Sequence, residues 1–326
     1  MRKSLVFLCL FIPGLWCNIS SQWLSTTLPL TILGVIDFLS SILLFIAWAF
    51  LFWNLGAFFQ SLYPVHEIEF PGVIIEEISL FVQELGHNVY GKLMTSKNFN
   101  ETTPLMILLT GGGGRHEDLM GMGSLLVKFG VKVLLFDHPG SIGKSHGSTS
   151  ASKIRSPMKS ILALHKMMDH VLSRADINTR NIGLFGGSLG AITAVYGGFT
   201  DERVNLIIGQ NAGLIENREA LEKVKKIMPL WFKVYCKLIK LDMDDIINLD
   251  HAQFARFNDA KLSARVYLTH TKDDTAIPFD AFIKLKGVLR LPEENCLVFE
   301  KGGHFSAVHQ ETIIGWIAGK IRQHLL

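Results

Sequence analysis

One serine is set where it could act as a nucleophile. Gly186-Gly187-Ser188-Leu189-Gly190 has the spacing Gly-x-Ser-x-Gly. In that spacing the serine occupies a sharp, strained turn from a strand into a helix, and the residues two positions away must lack side chains to avoid collision. The hydroxyl then stands at a helix N-terminus, where the dipole favours negative charge. The same spacing recurs at Gly143-Lys144-Ser145-His146-Gly147, and context separates the two. Ser188 follows an apolar strand and precedes an apolar helix. Ser145 sits in a polar loop that runs on to Ser152, where turn chemistry is the plainer reading. A serine hydroxyl is a poor nucleophile near neutral pH and needs a base that a third group orients. For a nucleophile in this kind of turn the chain order is Ser, acid, His. Asp273 and Asp274 follow one late strand, and His304 follows the next. The residues thus describe acyl-transfer chemistry by Ser188 and His304, with Asp273 or Asp274 as the acid. The backbone amide of Leu189, just after the nucleophile, is one expected donor to the developing oxyanion.

These side chains need elements to carry them. Residues 76–84 and 89–94 are rich in β-formers around a Gly86-His87-Asn88 turn signal and predict a hairpin. The apolar runs 105–109, 131–136, 181–185, 204–208, 265–269 and 296–299 predict strands. Helical patterns at 118–129, 157–175, 189–198 and 306–324 lie between or after them. Short apolar strands alternating with helices predict an α/β fold, a mostly parallel, doubly wound sheet with both faces covered. Ligands of such sheets bind at the carboxyl ends of the strands, where the serine, the acid and the histidine all fall. The connection between 208 and 265 is far longer than a crossover needs. Residues 220–239 within it look helical, with a break or kink at Pro229, and mix lysines with Trp231, Phe232 and Tyr235. The insert, about 212–262, is expected to cap the site.

The first 65 residues differ from the rest. They carry three charged side chains, Arg2, Lys3 and Asp37. Residues 38–59 have only Ser40, Ser41 and Asn54 as polar members. As a helix they would be about 33 Å long, enough to span the hydrocarbon core. A transmembrane segment at 38–59 is therefore expected, followed by a catalytic domain over 66–326. The shorter apolar stretch 4–17, behind Arg2-Lys3, fits either a secretory signal or the second arm of a membrane hairpin. The side of the membrane stays open, because Arg2 and Lys3 are the only Lys or Arg residues before Lys92.

Composition excludes several classes. A net charge of +3 on 326 residues argues against a nucleic-acid binder. Four cysteines exclude a disulfide scaffold. Gly140 to Ser145 fails the phosphate-loop pattern at His138. The glycines at 111–114 do not continue as a dinucleotide fingerprint. His116-Glu117 lacks a second histidine at position 120, which is Met120. No metal or redox cofactor is implied.

Taken together, the glycine loop 111–114, Asp137-His138-Pro139-Gly140 with Gly143-Lys144-Ser145, the Gly186–Gly190 elbow and the late Asp and His resemble the α/β-hydrolase superfamily. They are most similar to its membrane-tethered, monoglyceride-lipase and serine-aminopeptidase-like branch. The resemblance covers about residues 74–326. In that family the acid usually lies four residues before the proline of a Val/Ile-Pro pair, which at Pro278 implies Asp274. The family also implies an oxyanion amide from the glycine loop, at Gly112 with Gly113 as the alternative. Two places depart from its pattern. Thr110-Gly111 stands where His-Gly is usual, and Pro139 stands where the loop after the fourth strand has arginine.

The expected function is that of a membrane-anchored serine hydrolase acting on a carboxylic ester, with a lipid-like acyl substrate. Its catalytic residues are Ser188, Asp274 and His304, and its oxyanion hole is formed by Gly112 and Leu189. The same residues would serve an amide or thioester hydrolase or an acyltransferase. A non-catalytic binding or scaffold protein on the same fold is the contrasting possibility.

Overall fold

The computed structural model describes residues 70–140, 155–257, 259–304 and 306–326. The expected membrane segment 38–59, the stretch 4–17 and Ser145 lie outside the described residues. Among the described residues no helix is long and apolar enough to cross a membrane.

An eight-stranded sheet organises the described chain, in the order β1-β2-β4-β3-β5-β6-β7-β8. β1 (Ile74–Val82) and β2 (His87–Thr95) form an antiparallel hairpin, and β2 runs antiparallel to β4 (Lys132–Phe136). β3 (Leu105–Leu109), β4, β5 (Ile182–Gly187), β6 (Val204–Gln210), β7 (Val266–Thr271) and β8 (Cys296–Phe299) are parallel. The expected hairpin is present, shifted toward the N-terminus at β1, because Gly86 closes the turn at φ +70 and lets His87 and Asn88 join β2.

Every residue of β3 and β4 is buried, as strands in a doubly covered sheet are, and the one charged member, Lys132, donates from its ammonium to the Asn100 carbonyl at 2.7 Å. Their period of two sorts them between two cores. Leu105, Ile107, Leu109, Leu134 and Phe136 face one layer, and Met106, Leu108, Val133 and Leu135 face the other. The first layer is covered by α2 (Pro157–Leu172) and α3 (Leu189–Gly198), and the second by α1 (Met120–Phe129). α2 starts at Ser156, whose hydroxyl accepts from the Lys159 amide at 3.2 Å, with Pro157 next. It ends at Leu172, short of the expected 175.

Between β6 and β7 the insert forms α4 (Arg218–Ile227) and α5 (Leu230–Leu238), separated at Pro229 as expected. It continues through a 3₁₀ turn, Asp244–Asn248, and two single-turn helices, α6 (Gln253–Arg256) and α7 (Ala260–Ser263). Phe254 packs edge-on against Tyr196 of α3 and Phe199 at its C-cap, so this last part of the insert joins the body. Arg155 ties the insert down, pairing with Leu241 as a β-bridge and donating from its guanidinium to the Ile239 carbonyl at 2.7 Å. Two helices complete the chain. α8 (Phe279–Val288), which the sequence pattern did not announce, supplies the β7-to-β8 crossover by burying Ala281, Phe282 and Leu285. α9 (Gln310–His324) lays Ile313, Ile317 and Ile321 along the second layer.

His138, one of the residues in the departing loop, is fully buried, and its Nε2 lies 2.7 Å from the Thr110 carbonyl. Burial pushes its pKa down to about 4, against the pull of the Thr110 bond and Asp137. Folded His138 is neutral where unfolded histidine already takes up a proton, so its contribution is present above pH 6.5 and is lost as pH falls toward 4. We expect about 2 kcal/mol of stability to disappear between pH 7 and pH 5 from this residue. Urea unfolding at both values checks it. In His138→Asn the pH-dependent loss should shrink by that amount.

Candidate active site

Ser188 follows the last residue of β5 and caps α3, with φ 53 and ψ −115. That backbone is strained for a residue with a Cβ, by roughly 1–3 kcal/mol, and the surroundings enforce it. The Ser188 amide donates to the Gln210 carbonyl of β6 at 2.8 Å, and its carbonyl accepts from Ile192 at 3.0 Å. The two motif glycines permit the turn. A Cβ on Gly186 would stand 2.6 Å from the Ala191 nitrogen, and one on Gly190 would stand 2.7 Å from the Leu109 carbonyl carbon. The helix can therefore start against the ends of β5 and β3 only if both positions are bare.

His304 lies in the loop after β8. Its Nε2 is 2.9 Å from the Ser188 hydroxyl oxygen, and its Nδ1 is 2.8 Å from Asp274 Oδ2. Asp274 as acceptor fixes the proton on Nδ1 and leaves Nε2 to accept from Ser188. Asp274 is buried, and its Oδ1 accepts the amides of Ala276 at 2.8 Å and Ile277 at 2.9 Å. Burial works to raise its pKa. The hydrogen bond and charge of His304, with the Ile277 amide, outweigh it and hold the carboxyl below its usual value. The neighbouring acid has a different place. Asp273 is exposed and accepts the amides of Gly303 at 2.8 Å and Gly302 at 3.2 Å, which depress its pKa. It shapes the loop that carries the histidine and does not touch the ring.

Asn211 is a member of this constellation that sequence reasoning missed. It follows β6 directly, is fully buried and holds φ 57. Its Nδ2 donates to Asp274 Oδ2 at 3.1 Å and also to the His304 carbonyl. One amide thus positions the acid and the histidine loop together. The available signal was an asparagine, the residue most tolerant of left-handed backbone after glycine, at the carboxyl end of a central strand. Asn211→Ala is expected to lower kcat by about 10–100-fold with little change in KM, because His304 loses its orientation and not its substrate. Steady-state kinetics on a soluble ester would show it. An equal rise in KM would argue against a positioning role.

The residues expected to form the oxyanion hole come together. A Cβ on Gly112 would lie 3.8 Å from the Leu189 Cβ, and one on Gly111 would lie 3.7 Å from the Ser188 Cβ. No hydrogen bond among the described residues takes up the amide of Gly112 or of Leu189. Both are therefore open to a ligand oxygen. A cavity of about 400 Å³ opens here, lined by the glycine loop, Ser188, Asn211 and His304 on the body and by Phe232, Tyr235, Ile239 and Leu241 from the insert. Phe232 packs edge-on against the His304 ring at 5.5 Å. The described cysteines offer no rival nucleophile, since burial pushes the thiols of Cys236 and Cys296 up to about 11.

One group among the described residues has donors suited to a metal. Ligand atoms of His116, Glu117 and Asp137 lie within 4.8 Å of one another. Asp137, which the sequence could not pair with His116, comes from the end of β4. His116 Nδ1 is 3.0 Å from Asp137 Oδ1, which also accepts the His116 amide at 2.9 Å. The contact joins the exit of the glycine loop to β4.

No protein-family model and no curated protein matches this sequence. Solved structures do match. The α/β-hydrolase GrgF from Penicillium sp. sh18 aligns with 77% of this chain and 99% of its own, at 15% identity and a TM-score of 0.55. The chain has the α/β-hydrolase fold. A cold-adapted esterase from an Arctic intertidal metagenomic library aligns with 81% of this chain and 99% of its own, at 17% identity and TM-score 0.53. The 2,6-dihydroxy-pseudo-oxynicotine hydrolase aligns with 77% of this chain and 69% of its own, at 18% identity and TM-score 0.56. At these identities the likeness is one of fold. A shared fold assigns no activity, which has to be argued from the side chains at the strand ends.

Proposed function

We propose that this chain is a serine hydrolase that cleaves a carboxylic ester through an acyl-enzyme. The observation that carries the reading is the continuous relay from Ser188 Oγ, which lines a cavity, through His304, at 2.9 Å, to the buried Asp274, at 2.8 Å. His304 Nε2 takes the Ser188 proton as the oxygen attacks the ester carbonyl. The amides of Gly112 and Leu189 hold the resulting oxyanion. His304 returns the proton to the leaving alcohol, and water, deprotonated by the same nitrogen, releases the acid and regenerates Ser188. Asp274 stays ionised throughout and stabilises the imidazolium.

The apolar wall that the insert adds to the cavity supports a lipid-like acyl group. The expected membrane segment at 38–59 supports an anchored enzyme, placed in the monoglyceride-lipase and serine-aminopeptidase-like branch. A fluorophosphonate probe should label the wild type and fail to label Ser188→Ala. A panel of acylglycerols, lysophospholipids, short p-nitrophenyl esters and aminoacyl amides should then show turnover of esters. Equal labelling of both proteins would overturn the assignment of Ser188, and absence of labelling and turnover in the wild type would leave a binding or scaffold role.

A further inference from the structure

α5 has three faces. At about 100° per residue, Phe232, Tyr235, Cys236 and Ile239 share one side, which is the wall of the cavity and its packing. Leu230, Trp231, Val234 and Leu238 share a second sector only ~100° wide. They are exposed by 76, 55, 47 and 49%, and Ile227 at the end of α4 adds 63%. A soluble face at these positions would be polar, and a contiguous exposed apolar patch of this kind signals a docking surface. Lys233 and Lys237 occupy the remaining sector, with Lys226 and Lys240 at either end. From 226 to 241 the sequence has four lysines and no acidic residue. None of the four has an acidic partner among the described residues. The nearby lysines that precede this stretch are paired, Lys223 with Glu219 and Lys225 with Glu222 and Asp244.

We infer that the outer face of α5 seats in an anionic lipid surface, with the apolar side chains among the acyl chains and the lysines on the headgroups. An apolar sector flanked by unneutralised lysines matches the layering of such a surface. A protein partner would call for acidic residues among the basic ones at the rim, and the stretch 226–241 carries none. The opposite face of the same helix walls the cavity beside Ser188, so seating would bring the cavity up to the surface that holds an acyl substrate. That consequence for activity rests on the ester-hydrolase reading; the seating itself does not.

The test uses the full chain in phosphatidylcholine vesicles with and without phosphatidylserine, made with brominated acyl chains. Quenching of Trp231, read as the difference between wild type and Trp231→Phe, should be at least about twofold stronger in the anionic vesicles. It should be lost in Lys226→Glu/Lys233→Glu/Lys237→Glu. The triple variant Leu230→Ser/Val234→Ser/Leu238→Ser should hydrolyse p-nitrophenyl acetate like the wild type and a vesicle-borne acyl ester about tenfold more slowly. A Trp231 that brominated lipid does not quench overturns the inference, whether residues 38–59 or a second copy cover the face. Equal quenching in neutral and anionic vesicles removes the role given to the lysines. Absence of turnover on every ester would sink the hydrolase reading instead, and the quenching would still decide the seating.

Discussion

Asp274→Asn is expected to lower kcat by about 10⁴-fold, and Asp273→Asn by less than about tenfold. The contrast follows from what each carboxylate accepts. Asp274 Oδ2 takes the Nδ1–H of His304 and the Nδ2–H of Asn211, while Oδ1 takes two backbone amides. All these partners are donors. An asparagine must turn its own NH₂ toward one pair of them. If the NH₂ faces His304, the ring must protonate on Nε2 and presents a donor to Ser188, which is incompatible with the base role proposed for it. If it faces the amides of Ala276 and Ile277, two buried donors lose their acceptor. Asp273 meets the Gly302 and Gly303 amides and the Thr271 side chain at the surface, away from the imidazole, and an asparagine oxygen can replace one carboxylate oxygen there. Steady-state kinetics with a soluble ester, and circular dichroism to show that both variants fold, decide the matter. Equal effects of the two substitutions would remove Asp274 from the relay.

Gly190→Ala is expected to destabilise the fold by roughly 3 kcal/mol or more and to abolish activity with it. The new methyl would fall on the Leu109 and Thr110 carbonyls of the β3 end, which are backbone and have no rotamer to yield. α3 would have to retreat from the sheet, carrying Ser188 away from His304. Gly187→Ala in the same five-residue motif is the control. A Cβ there meets nothing within 4 Å, so the change in stability should stay below about 1 kcal/mol. Urea unfolding of the pair reads both effects, and a stable Gly190→Ala would show that the elbow is looser than its contacts imply.

Much of this fold was legible from local rules. Apolar-rich strands such as 105–109 and 131–136, the latter interrupted only by Lys132, point to burial on two faces in a covered parallel sheet, and the structure has that sheet. Pro229 breaks or kinks a helix, so an interruption there was visible in advance, and the fold makes it the gap between α4 and α5. α8 was not visible, because its burial of Phe282 and Leu285 makes sense only once β7 and β8 lie side by side. The hairpin turn shifted because the left-handed backbone of Gly86 closes it early, leaving His87 free to enter β2.

The candidate site divides in the same way. Residue types and their order along the chain were enough to name Ser188, His304 and a pair of aspartates, since a nucleophile elbow constrains its neighbours within five residues. Residues alone left Asp273 and Asp274 open, because adjacent side chains in a loop point in different directions that no local pattern records. The three-dimensional packing turned Asp274 inward to the ring and Asp273 outward to the glycine amides. It also brought in Asn211, 63 positions from Asp274, which no spacing rule could link to it. The sequence by itself determined the layered α/β plan and the chemistry available, because helix and strand periods and turn sterics act between near neighbours. Only the tertiary structure decided which carboxylate meets the imidazole and which side chains line the cavity, because those contacts join strand ends that are distant in sequence and adjacent only in the folded sheet.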